Sequence, residues 1–112
     1  MPAQTRDDRI PLRFGPASGA EAAEAVLVEH GRLAPESGAV ARFAVGGMHL
    51  ALCACCGGRH PAAVALAALF QDRARGRVPW FTGVVADVAN PVGVAEALRS
   101  DLVAAARFRV PM

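Results

Sequence analysis

The chain has 112 residues, 54% of them apolar and 20% charged, with a formal net charge of +2. That length suits one domain with its own hydrophobic core, and that balance excludes a disordered chain. Every cation is an arginine, and the 12 arginines are nearly matched by 10 acids, which excludes a nucleic-acid-binding profile.

The sequence reads as a single domain over 1–112 in which residues 1–9 form a polar, disordered tail. Asp7 and Asp8 rule this tail out as a signal peptide. The longest apolar run, Pro61 to Phe70, is about half of a membrane span. The expectation is a soluble, cytoplasmic protein with neither a membrane nor a nucleic acid as partner.

In chain order, Ile10 to Phe14 alternates apolar and other residues as a short strand with its proline at an edge. Ser18-Gly19-Ala20-Glu21 has the form of a capping box, and it predicts a helix from about Gly19 to His30 that Gly31 ends. Residues 40–45 alternate with period two, and Gly46-Gly47 predicts a hairpin into a second strand, Met48 to Cys53. Pro61 sits at a first helical position, with Ala62, Leu66, Leu69, Phe70 and Arg73 on one stripe and Gly76 as the stop. Val78 to Val88 is rich in β-branched residues and predicts a buried strand, with Trp80 and Phe81 at its start in the core or as an interface anchor. Asn90-Pro91 caps and starts a further helix with Val94, Leu98 and Leu102 on one side, which Ser100-Asp101 interrupts or recaps. Helix, strand and helix in succession predict an α/β domain with a small, partly parallel sheet and packed helices.

The chemistry is concentrated in Cys53-Ala54-Cys55-Cys56-Gly57-Gly58-Arg59-His60. On an extended strand Cys53 and Cys55 share a face, while Cys56 joins them only if the backbone bends, for which Gly57-Gly58 provides. Three thiols in four positions suit a thiophilic metal such as zinc, copper(I) or cobalt and leave a fourth position open. His60, four residues on, is the candidate fourth ligand, although a histidine at a helix start is commonly a surface residue. His49 lies roughly 13 Å from Cys53 along a straight strand, and His30 is read as a helix-end donor. The same cysteines could instead be small core hydrophobes or a thiol switch. Arg59 reads as a solvated turn residue or an anion holder beside the thiols. Asp87 sits where strand ends of open α/β sheets meet ligands, or else caps the next turn. No serine or cysteine has a histidine and an acid at a recognisable catalytic spacing, so the chain is expected not to be an enzyme.

The run Cys53-Ala54-Cys55-Cys56, then Val84-Val85, then Asn90-Pro91 with Val94 and Leu98, then Ala106-Arg107-Phe108-Arg109 resembles the CobW-type metal-chaperone GTPases. The resemblance covers the second half of the chain and implies a fold like a truncated P-loop G domain. It also implies transition-metal binding by Cys53, Cys55 and Cys56, with Leu52 standing where the family usually has glycine. In that family a P-loop binds GTP beside the metal. Here Phe14, Gly19, Ala20 and Glu21 stand at its glycine, glycine, lysine and hydroxyl positions, and the chain contains no lysine. A glutamate there repels phosphate, so no GTP is expected. The sequence therefore predicts a degenerate relative that binds a metal ion without nucleotide chemistry, with a homodimer or a client protein as its macromolecular partner. The alternative is a metal-free pseudo-G-domain that acts as an interaction or regulatory subunit.

Overall fold

Two stretches of the chain are apolar without alternation, Ala25 to Val28 and Gly83 to Ala86, and both are buried throughout. An unbroken apolar run is what a strand covered on both faces requires. In the computed structural model, which describes residues 8–45 and 59–111, they form inner strands of a parallel sheet. The strands are β1 (Ile10–Phe14), β2 (Glu24–Glu29), β3 (Val40–Phe43), β4 (Gly83–Asp87) and β5 (Phe108–Arg109). Their order is β3-β2-β4-β1-β5, and every neighbouring pair is parallel. Among the described residues three α-helices accompany them: α1 (Pro61–Ala74), α2 (Pro91–Ser100) and α3 (Leu102–Arg107). The domain is α/β.

The register sorts side chains to two faces. Leu12, Val84 and Ala25 lie in one row and Phe14, Ala86 and Leu27 in another, all on the face that meets the helices. Ala62, Ala63, Leu66 and Leu69 of α1 close that face together with Val94 and Leu98 of α2 and Ala104 of α3. Full burial of leucines such as Leu66 and Leu98 stabilises the fold by about 1.5–3 kcal/mol each. The opposite face carries Val26 and Val28 under a thin cover, a single 3-10 turn at Ala17–Gly19 with Ala20, Ala34 and Val40 around it.

The helix expected over Gly19 to His30 is not formed; β2 occupies its second half. Glu21 does not reach back to a capping serine. Instead the Glu24 carboxylate accepts from the Glu21 amide at 2.9 Å and pairs with Arg13, whose Nε and Nη2 donate at 2.9 and 2.8 Å. Glu24 reaches Arg13 by crossing Gly83, its register partner on β4, where a side chain larger than a methyl group would stand in the way. Gly31 ends β2 with φ at +96°, a left-handed turn rather than a helix cap.

The later elements form as the sequence predicts. His60 caps α1 with Pro61 following, Asn90 caps α2 with Pro91 following, and Asp101 ends α2 and caps α3. The strand expected over Val78 to Val88 is confined to Gly83–Asp87. Phe81 is buried ahead of it, whereas Trp80 is 64% exposed rather than in the core. The expected hairpin strand, Met48 to Cys53, lies outside the described residues. No helix among the described residues is long and apolar enough to cross a membrane.

Candidate functional site at the carboxyl edge of the sheet

In parallel sheets the strand ends that point one way share an edge, and loops leaving the carboxyl edge carry most sites. Here that edge gathers the turns after Phe14, Glu29, Phe43 and Asp87. Asp87 ties three of them. Its Oδ2 accepts from the Ala17 amide at 2.9 Å, and its Oδ1 accepts from Arg32 Nη1 at 3.0 Å. Glu29 adds a third tie, accepting from the Ala89 amide at 3.0 Å. The His30 amide donates to the Phe43 carbonyl at 2.7 Å and fixes the end of β3 against β2. Asp87 thus serves the framework, with both carboxylate oxygens engaged. His30 follows a strand here, not a helix end.

The candidate metal ligands Cys53, Cys55 and Cys56 lie in residues 46–58, outside the described residues, as does His49. The two stems of that segment are described, and both stand at the carboxyl edge. One leaves β3 after Phe43; the other enters α1 through Arg59 and His60. The Phe43 and His60 rings are 6.1 Å apart, centroid to centroid. A cavity of about 280 Å3 opens beside the stems, with Phe43, Ala44, Pro61 and Val64 in its lining.

His60 is partly buried. Burial holds its imidazole below the ordinary range, against an opposing pull from the Glu29 carboxylate. The ring is therefore neutral at physiological pH, the form that can ligate a metal. Its Nδ1 already accepts from the Ala62 amide at 3.0 Å, which places the proton on Nε2. Ligation through Nδ1 would take the cap away from α1, and ligation through Nε2 would require the other tautomer. The donor chemistry of three thiols and one imidazole fits zinc or cobalt, with His60 as the most costly of the four to recruit.

Arg59 is neither a free turn residue nor poised for an anion, because its guanidinium is held by Asp101. Its Nε and Nη2 donate to the two oxygens of Asp101 at 2.8 and 3.0 Å. The bond to Arg59 is the main reason that the Asp101 carboxyl lies below the usual carboxylate range, and the Val103 and Ala104 amides reinforce it. Sequence reasoning missed this pair because 42 positions separate its members; only the capping role of Asp101 has a local signal. Among the described residues no group of three or more His, Cys, Asp or Glu side chains could hold a metal ion.

Comparison with protein-family models, curated proteins and solved structures finds no match to this chain.

Proposed function

We propose that the chain is a non-catalytic, cytoplasmic metal-binding protein, a CobW-like metallochaperone domain without GTP binding. Its ligands are Cys53, Cys55 and Cys56, which take up zinc or another thiophilic transition metal such as cobalt. The observation that supports this reading is the fixed position of the two stems of the cysteine segment at the carboxyl edge. Its stems meet through the Phe43–His60 contact, and Arg59 is clamped to Asp101. Both stems of the thiol-bearing segment are thereby anchored, which lowers the entropy lost when a metal draws the three sulfurs together. Thiolates release protons as they bind, so affinity falls as pH drops. His60 takes the fourth position only at the expense of its cap, so a partner's ligand or water competes for that position.

The test is a cobalt(II) titration of the full chain purified without oxygen. Thiolate-to-metal charge-transfer absorption is expected, and it disappears when all three cysteines are replaced by serine. His60→Gln keeps the absorption and weakens uptake by about tenfold or less, the equivalent of one ligand or cap at about 1.4 kcal/mol. Absence of the absorption in the unaltered chain, or its survival in the triple serine variant, overturns the proposal.

A second reading is a metal-free interaction subunit, favoured by the exposure of Leu33, Val92 and Leu102, at 93%, 70% and 88%. Light scattering that shows a dimer, together with metal-free protein by elemental analysis, selects it.

A further inference from the structure

At the opposite, amino edge of the sheet, the end of α1, the start of β1 and the end of α3 enclose a cavity of about 390 Å3. Among the described residues, Arg9, Arg73 and Arg107 line it, with Asp8 as the one carboxylate. Two of these arginines are arranged in an uncommon way. The Arg107 guanidinium lies over the Phe70 ring at 4.4 Å, and Arg73 lies 5.8 Å from the same ring. Arg73 also stacks on Trp80 at 3.5 Å and donates its Nε to the Phe81 carbonyl at 2.8 Å.

Stacking occupies the faces of a guanidinium and leaves its edge of N–H donors to point outward. Neither Arg73 nor Arg107 forms an ion pair with a described carboxylate, although four other described arginines do. Burial pulls Arg73 below its ordinary value with no anion to offset it. Two positioned cations that pair with no described carboxylate, in a cavity that holds Asp8 at its margin and has an aromatic ring as a wall, suit a ligand that brings its own negative charge.

We propose that Arg73 and Arg107, with Arg9 at the rim, bind a phosphate dianion, either inorganic phosphate or the phosphate of a small phosphomonoester. Planar, forked donors match the tetrahedral oxygens of phosphate, and a dianion neutralises two guanidinium groups. The cavity is several times larger than a phosphate group, and Phe70 offers an apolar wall to whatever the phosphate is attached to. This site lies at the end of α1, whereas the Arg59–His60 stem of the cysteine segment lies at its start.

The chain reports on the site itself. Trp80 is its single tryptophan and it contains no tyrosine, so its ultraviolet emission senses the cation stacked on that ring. The full chain is titrated with inorganic phosphate and, separately, with phenyl phosphate, at constant ionic strength with chloride as the control. The expected result is a saturable emission change with phosphate that chloride does not produce, together with a matching binding heat by calorimetry. Tighter binding of phenyl phosphate assigns the site to phosphomonoesters, and equal binding assigns it to the free ion. Arg107→Gln, which removes no hydrogen bond to a described residue, is expected to weaken phosphate binding at least tenfold with an unchanged urea midpoint. Arg75→Gln, outside the cavity, is expected to leave binding unchanged. A response that chloride reproduces, the absence of both emission change and heat, or an Arg107→Gln variant that titrates like the unaltered chain overturns the proposal.

Discussion

Replacing Asp101 with alanine removes one side chain that performs two tasks. Its Oδ1 accepts from the Val103 and Ala104 amides at 3.1 and 3.0 Å, and both of its oxygens accept from Arg59. Loss of the cap costs about 1 kcal/mol. The ion pair is bidentate, but the Arg59 side chain is 35% exposed, and solvent screening leaves the pair about 0.5–1 kcal/mol. Asp101→Ala is therefore expected to destabilise by about 1.5–2 kcal/mol, a fall in Tm of roughly 6–12 °C. Asp101→Asn keeps an oxygen for the cap and loses only the charge, so about 0.5–1 kcal/mol is expected. Urea denaturation of both variants, and of each combined with Arg59→Gln, separates the two contributions. In the alanine background Arg59→Gln costs nearly nothing further, because its partner is gone. The pH dependence follows in sign: a carboxyl lowered by folding contributes stability above its unfolded pKa, and that contribution is lost as pH falls through the folded value. The gap between the unaltered chain and Asp101→Asn should thus close below about pH 4. An Asp101→Ala variant within about 0.5 kcal/mol of the unaltered chain, or no more affected than Asp101→Asn, would refute this assignment of roles.

Three further outcomes are expected. Leu66 is fully buried against the sheet, so Leu66→Ala should cost about 2–5 kcal/mol in urea denaturation. At Gly83 an added Cβ meets Glu24 Cγ at 3.4 Å, an ordinary contact, so Gly83→Ala should be tolerated; Gly83→Val should push Glu24 off Arg13 and lower the urea midpoint. His60 has a folded pKa below its unfolded one, so its contribution to stability is present above about pH 6.5 and is lost as pH falls toward the folded value. Denaturation curves between pH 7 and 5 should therefore flatten in His60→Gln.

Local punctuation made α1 and α2 legible. Pro61 after His60, and Pro91 after Asn90, fix a helix start through a missing amide and a side-chain cap, neither of which needs tertiary context. β2 was not legible for the opposite reason. Its Glu and Ala residues favour helix when taken singly, and a strand buried on both faces shows no alternation to contradict them. What decides its state is β4, whose Val84, Val85 and Ala86 pair with Ala25, Val26 and Leu27 from almost 60 positions away. The same distance problem hid the tie from Arg59 to Asp101 and the three arginines at the amino edge. Of the candidate metal ligands only His60 falls within the described residues, and its capping bond to Ala62 has a local cause in Pro61 beside it.

The place of β4 in the sheet also has a consequence for synthesis. β4 hydrogen-bonds to both β1 and β2, yet it follows them by more than fifty residues. A nascent chain that has released only its first 80 residues from the ribosome can pair β2 with β3, but β1 has no neighbour until β4 emerges. The apolar rows of β1 and β2 must wait through translation of the cysteine segment and all of α1. Folding of this domain thus waits on β4, and its early fragments are natural clients for chaperones that shield unpaired strands.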